Sequence, residues 1–401
     1  MVGDILKAAG ELLTLEDPLE AWASEVLGMF HKPPLPLELR ETVERSLVPA
    51  LVRGAERRRN ATGLAALHAL AAVTGDEAGA RQAAERMASH GVPRPRWADA
   101  VGAPEFVEGW TAADAFGDQI GYYLVFRYPE RPPHLLMALY DENLGGIIKD
   151  AFVATPREGE DLRALVSSDP DVTVADIDVA DAAARIARAI ATGDLFVDND
   201  WTPEYNETRA LLRSRMRLLS PATSAERPQP PERPDEEAQE ALVQEFLASP
   251  QAPRRDETLP IIDHCMMARC DFGDGDPLRW SPTVVELFML DYLPRKATLN
   301  FAEIGALPEV LTAWVRFALS KRGLAERQIV ETERAVKEFA GEFRDAVTDP
   351  ENFGPAKAIT NAMRADGVDI ADQPAVDDWL AEFNARPEQE RRRFFGRHLD
   401  I

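Results

Sequence analysis

The sequence predicts a predominantly helical α+β protein: N-terminal helical hairpins, a small central α+β domain on an antiparallel sheet, and a C-terminal helical domain. Three observations carry that expectation. Apolar residues recur at spacings of three and four near both ends of the chain. Between positions 119 and 153 the pattern changes to aromatic and branched runs bounded by Gly and Pro. A stretch at 221–236, PATSAERPQPPERPDE, is dense in proline and nearly devoid of apolar residues, which reads as a mobile or extended linker. The expected domains are therefore 1–104, 105–220 and 237–401, with 221–236 between the last two. A length of 401 residues accommodates two or three domains.

In the first domain Asp17 is placed to cap a helix that Pro18 opens. Leu19, Trp22, Ala23, Val26, Leu27 and Phe30 form its apolar stripe, and Pro33-Pro34-Leu35-Pro36 breaks it. Leu39, Val43, Leu47 and Leu51 mark the next helix. Leu64, Leu67, His68 and Leu70 mark a third, and 78–87 a fourth. The short joints at Asn60 and Gly75-Asp76 imply antiparallel neighbours. No 34-residue repeat signature is present.

In the middle segment 119–128 (QIGYYLVFRY) reads as a strand and 129–133 (PERPP) as a turn. The continuous apolar run 134–140 (HLLMALY) reads as a strand buried on both faces. Asn143 to Gly146 turns the chain again, and 147–153 returns as a third strand. A helix at 158–166, a strand at 172–179 and a helix at 181–191 complete the order β-β-β-α-β-α. After the linker, Ser281-Pro282 starts a helix that is apolar on nearly every side and that Pro294 should end. Leu307 to Ala318 marks the next, closed by Lys321-Arg322-Gly323. A long helix then runs from Ala325 to about Val347, and short ones lie around 375–383 and 388–395.

Charge excludes several functions. Lys+Arg is 45 against 69 Asp+Glu, a net charge of -24. Such a surface repels nucleic acid and anionic lipid, so neither is an expected partner. No run approaches the ~18 apolar residues of a membrane span. Asp4 stands where a secretory leader would carry basic and then apolar residues. Two cysteines make no disulfide framework. A cytoplasmic location follows as the expectation. No dinucleotide fingerprint, phosphate loop or nucleophile elbow occurs, and the six histidines fall in no ligand pair, so no cofactor or metal is assigned.

The most informative residues lie around the first hairpin. With a symmetrical 129–133 turn, Asp118 falls opposite Asn143, and Asp118, Asp141 and Glu142 meet at one end of the ribbon. Asp150, flanked by Lys149, would share a strand face with Ile148 and Phe152. Carboxylates so placed suit a hard cation or acid-base work. The plainer reading is that they are turn residues bonded to their own backbone. Asp263-His264-Cys265 with Cys270-Asp271 reads as a buried helix rather than a zinc site. The Asp271–Asp276 segment has glycines where a calcium loop needs ligands. The basic runs Arg57–Arg59 and Arg391–Arg393 complement helix C-termini or meet an acidic partner.

The segments 22–28 (WASEVLG), 117–121 (GDQIG), 143–152 (NLGGIIKDAF) and 286–296 (ELFMLDYLPRK) are similar to segments of an uncharacterised family of actinobacterial proteins. The resemblance implies no activity, cofactor or site residue. Two functions are weighed. The first is a non-catalytic interaction or regulatory protein that binds a protein partner in a groove between helical hairpins. The second is a metal-assisted hydrolase using Asp118, Asp141, Glu142 and Asp150, with Lys149 stabilising developing negative charge.

Overall fold

A computed structural model of the chain describes residues 2–23, 37–74, 79–195, 202–219 and 233–395. The fold is α+β and mostly helical, and the chain divides into two compact units, Met1–Pro230 and Pro231–Ile401.

The first unit opens with α1 (Val2–Ala8), α2 (Pro18–Ala23), α3 (Leu37–Arg58), α4 (Ala61–Thr74) and α5 (Ala80–Ser89). Asp17 accepts a hydrogen bond from the Leu19 amide at 2.7 Å, so the expected cap on α2 is formed. Arg58 of the first basic run donates to the Leu6 and Gly3 carbonyls, both at 3.0 Å, and so ties α3 to α1. The break expected at 33–36, the joint at Gly75-Asp76 and the stripe beyond Ala23 lie outside the described residues.

Five strands follow: β1 (Glu105–Asp114), β2 (Gln119–Arg127), β3 (His134–Asp141), β4 (Ile147–Ala154) and β5 (Val172–Asp176). They form one antiparallel sheet in the order β4-β3-β2-β1-β5. Helix α6 (Pro156–Ser167) joins β4 to β5, and α7 (Val179–Gly193) and α8 (Pro203–Leu219) follow. The sequence pattern does not reveal β1, for two local reasons. A bulge at Val107 breaks its alternation, leaving that side chain 43% exposed. Gly109 also interrupts the run, because a Cβ there would stand 3.0 Å from the Tyr123 carbonyl oxygen. Strand β5 stops three residues short of the expected end, because Asp178 turns to cap α7, accepting from the Ala180 and Asp181 amides.

The two faces of the sheet are unequal. Tyr122, Leu124 and Phe126 of β2 and Leu136, Ala138 and Tyr140 of β3 point into a large core shared with α4, α7 and α8, through Leu67, Ile186 and Leu211 among others. Trp110, Tyr123, Leu135 and Met137 face the other way, onto Leu162 and Val166 of α6. Trp110 and Tyr123 are register partners, and their rings stack at 3.6 Å.

That shared core corrects the expected boundary at 104/105. Across that boundary Arg131 donates to the Glu16 carbonyl and the Tyr128 hydroxyl donates to the Val101 carbonyl, both at 3.3 Å. The N-terminal helices cover one face of the sheet, and neither part buries its apolar surface without the other.

Of the expected linker, 221–232 lies outside the described residues; 233–235 leads directly into α9 (Glu236–Ala248), capped by Asp235. The second unit continues with α10 (Thr258–Cys270), α11 (Pro282–Glu286), a π-helical stretch at Leu287–Tyr292 and α12 (Leu293–Lys296). Pro294 therefore does not end the helix. The widened π turn precedes it, where a tight α turn would press the proline ring on the carbonyl four residues back. Next come α13 (Phe301–Arg322), capped by an Asn300–Glu303 box, and α14 (Glu326–Thr348). Then α15 (Pro355–Ala365), α16 (Gln373–Ala385) and α17 (Glu388–Phe395) close the unit. Trp314, fully buried, meets Phe246 edge-on at 5.2 Å. Lys357 is buried and donates to the Pro294 and Val347 carbonyls at 2.8 and 3.2 Å, fastening α15 to its neighbours. Cys265 and Cys270 are buried free thiols on α10, as a structural helix requires.

This division makes a prediction for protein dissection. Fragments 1–230 and 231–401 should each unfold cooperatively when followed by circular dichroism, whereas 105–220 alone should not, because its main sheet face would lie bare. A cooperative transition in the 105–220 fragment would contradict the shared core.

Candidate functional site

The hairpin brings its acidic residues close together, but not as an open site. The β2–β3 register pairs Gln119 with Asp141, and the Glu142 amide donates to the Asp118 carbonyl at 2.8 Å. Asp118 thus lies opposite Glu142, one residue away from the expected Asn143. Asp141 is 3% exposed. Its Oδ2 accepts from Gln119 Nε2 at 2.7 Å and Lys149 Nζ at 3.4 Å, and its Oδ1 accepts from the Leu144 amide at 3.1 Å. Glu142 accepts from the Tyr140 hydroxyl at 2.7 Å. Burial, reinforced by that carboxylate, raises the phenol's pKa.

Asp150 takes a different partner again, the Thr202 hydroxyl at 2.6 Å. It does not share a face with both expected neighbours. Leu139 pairs with Asp150 and Tyr140 with Ile148, so Lys149 is an extra residue that bulges from β4. Ile148 lies in the core with the helices, and Phe152 packs on the opposite cluster. Each carboxylate side chain of Asp141, Glu142 and Asp150 answers a different donor. Among the described residues no group of three or more His, Cys, Asp or Glu is arranged to hold a metal ion. Asp141 builds its turn through the Leu144 amide, and Asp114, which the sequence pattern did not single out, does the same for the turn before β2. Its two oxygens accept from the amides of Phe116, Gly117, Asp118 and Gln119.

A second constellation lies deeper in the first unit. Arg215 of α8 is 0% exposed. Its guanidinium carbon stands 5.7 Å from the ring centroid of Trp22, 5.4 Å from Phe126 and 5.4 Å from Tyr128. Nη2 donates to the Tyr128 hydroxyl at 2.5 Å, which donates onward to the Val101 carbonyl at 3.3 Å. Nε and Nη1 are buried with no hydrogen-bond partner. Burial lowers the pKa of Arg215, yet a guanidinium does not deprotonate in a protein. Three aromatic faces therefore do the work that water or a carboxylate does elsewhere.

His134 stands beside this group. Its ring lies nearly parallel to Tyr128 at 5.5 Å and to Phe126 at 6.2 Å. It is 5% exposed, and Nε2 has no partner. Burial, and then the charge of Arg215, push its pKa down to about 4, so the imidazole is neutral at pH 7.

Trp22, Tyr128 and His134 form the inner wall of a cavity of about 610 Å³. Leu19 and Asp17 of the α2 segment line one side, and Pro132 and Pro133 of the β2–β3 turn another. The β4–α6 junction adds Phe152 to Pro156 and Glu158, and α8 adds Glu204, Glu207, Thr208 and Leu211. Much of this wall is fixed in advance. The prolines hold their own φ angles. Glu158 is held by the Thr155 amide and hydroxyl, both at 2.7 Å, in a capping box at the start of α6. The cavity thus lies between α2, α8 and the sheet, and not between the helical hairpins where the sequence suggested a groove.

Sequence reasoning passed over Arg215. The available signal was its position: it follows Tyr205, Thr208, Leu211 and Leu212 along one stripe of α8, and a charge on an apolar stripe is uncommon.

The fold and site together define a class: a two-unit, mostly helical α+β protein with a preformed cavity over a buried aromatic-caged arginine. No family model, curated protein or solved structure matches the chain. Among the described residues, no helix is long and apolar enough to cross a membrane.

Two measurements check this geometry. Tyr128→Phe leaves the whole guanidinium without a hydrogen bond and should cost about 1–3 kcal/mol in urea unfolding; an unchanged midpoint would contradict the anchoring role. His134 has a folded pKa below its unfolded value of about 6.5, so the unfolded chain binds the extra proton. Its contribution is whole above pH 6.5 and fades as pH falls toward 4, by about 3 kcal/mol. Unfolding measured across that window should show His134→Phe losing this part of the pH dependence, and identical slopes would contradict it.

Proposed function

We propose that the chain is a non-catalytic binding protein of the regulatory kind, which takes up a small ligand in the cavity of its first unit. One observation carries the reading: an open cleft of about 610 Å³ with mainly apolar walls and charged side chains among its lining. Ligand pockets have that size and that lining. The walls are held by caps, prolines and the Arg215 cage, so binding costs little reorganisation.

The neighbouring chemistry supports binding over turnover. His134 is the titratable nitrogen on the inner wall, and its low pKa makes it a weak base near pH 7. The acidic hairpin corner is occupied by its own backbone and side-chain donors. A protein that reads ligand occupancy remains part of the proposal, and the net charge of -24 favours a basic partner over nucleic acid. The cytoplasm is the proposed compartment, supported by two thiols in the free form.

A thermal-shift screen with small amphipathic compounds tests this. A ligand at a hundred times its Kd stabilises by about 2.7 kcal/mol, which should raise the melting temperature of the first unit by roughly 5–10 °C. Leu211→Trp fills the cavity and should abolish the shift. Thr208→Leu serves as a milder filler if Leu211→Trp fails to fold by circular dichroism. No shift with any compound, or shifts that survive both fillers, would overturn the reading.

A further inference from the structure

Resting on that reading, we propose that the cavity selects a small organic cation: a flat apolar body carrying a protonated nitrogen with N–H donors. Three features point the same way. The lining includes the aromatic side chains of Trp22, Tyr128 and Phe152, which suit a flat apolar body. His134, whose Nε2 is buried and without a partner, lines the same cavity. Because the imidazole is neutral, one ring nitrogen is an acceptor, and a ligand N–H satisfies it.

The third feature is charge. Four carboxylates line the cleft against one guanidinium, Arg131. Arg131 is already matched by Asp17 at 3.5 Å, and Glu158 is held in its capping box. Glu204 and Glu207 remain, three residues apart on α8, both exposed and on the same rim. They attract a cation to the mouth and repel an anion. The charge of Arg215 does not cancel them, because it lies behind Tyr128 and faces aromatic rings. A basic peptide side chain shares the charge but fills only a small part of about 610 Å³, so the geometry favours a free small molecule.

The test uses one apolar body in three charge states with the full chain at pH 7: tryptamine, 3-methylindole and indole-3-acetate, by isothermal titration calorimetry. Tryptamine should bind about tenfold more tightly than indole-3-acetate. The double variant Glu204→Gln/Glu207→Gln should weaken tryptamine about fivefold and leave 3-methylindole unchanged. His134→Phe should weaken tryptamine while its melting curve at pH 7 stays cooperative. If 3-methylindole or indole-3-acetate binds as tightly as tryptamine and Leu211→Trp abolishes that binding, the cation preference falls and the cavity reading stands. If none of the three binds, this proposal falls, and the thermal-shift screen decides the cavity reading separately. If tryptamine binds Leu211→Trp unchanged, it sits elsewhere and this proposal is overturned.

Discussion

A guanidinium that cannot lose its proton lies wholly inside the first unit, and the rest of that unit is organised around accommodating it. Taking such a charge from water is costly unless other groups replace the hydration. Here the replacement is three ring faces and one phenol oxygen. Those groups come from α2, β2 and the residue after β2, and the guanidinium from α8. The cage therefore joins the N-terminal helices, the sheet and the last helix of the unit at one point. Val101, accepting from both Trp22 and Tyr128, brings the connection before β1 into the same network. The cavity is a consequence of this arrangement. Rings that must face Arg215 on one side are held rigid, and their neighbours on the other side form a wall.

Much of the fold was legible because it is written in local patterns. The runs at 119–128 and 134–140 fix two strands, and Asp17-Pro18, Ser281-Pro282 and Gly323 mark helix ends that the structure forms. What was not legible depends on contacts between distant segments. Strand β1 hides behind a bulge at Val107 and a glycine required by Tyr123 of the next strand. The shift of Asp118 from Asn143 to Glu142 is a single residue, which no propensity can resolve. The separate N-terminal domain failed for a related reason: an amphipathic helix shows that it buries a face, and not whether the cover is another helix or a sheet.

The site divides along the same line. The acidic corner attracted notice because carboxylates near turns are visible in sequence, and its turn-building reading rests on short-range bonds such as Asp141 to Leu144. The cavity drew no notice because its residues are spread from Asp17 to Leu211. Only the sheet and α8 bring Trp22, His134 and Arg215 together. The second unit uses the same economy of buried charge. Asp274 lies between Arg269 and Arg279, and Lys357 spends its donors on two backbone carbonyls.

The caged guanidinium is open to direct observation by nitrogen-15 nuclear magnetic resonance of the arginine side chains, with Arg215→Lys identifying the signal. Lying between aromatic faces and sealed from water, the Nε–H proton of Arg215 should resonate well upfield of the other arginines and exchange slowly with solvent. An Nε–H signal at the ordinary position, exchanging as fast as surface arginines do, would show that the charge is hydrated and that the unit is not built around it.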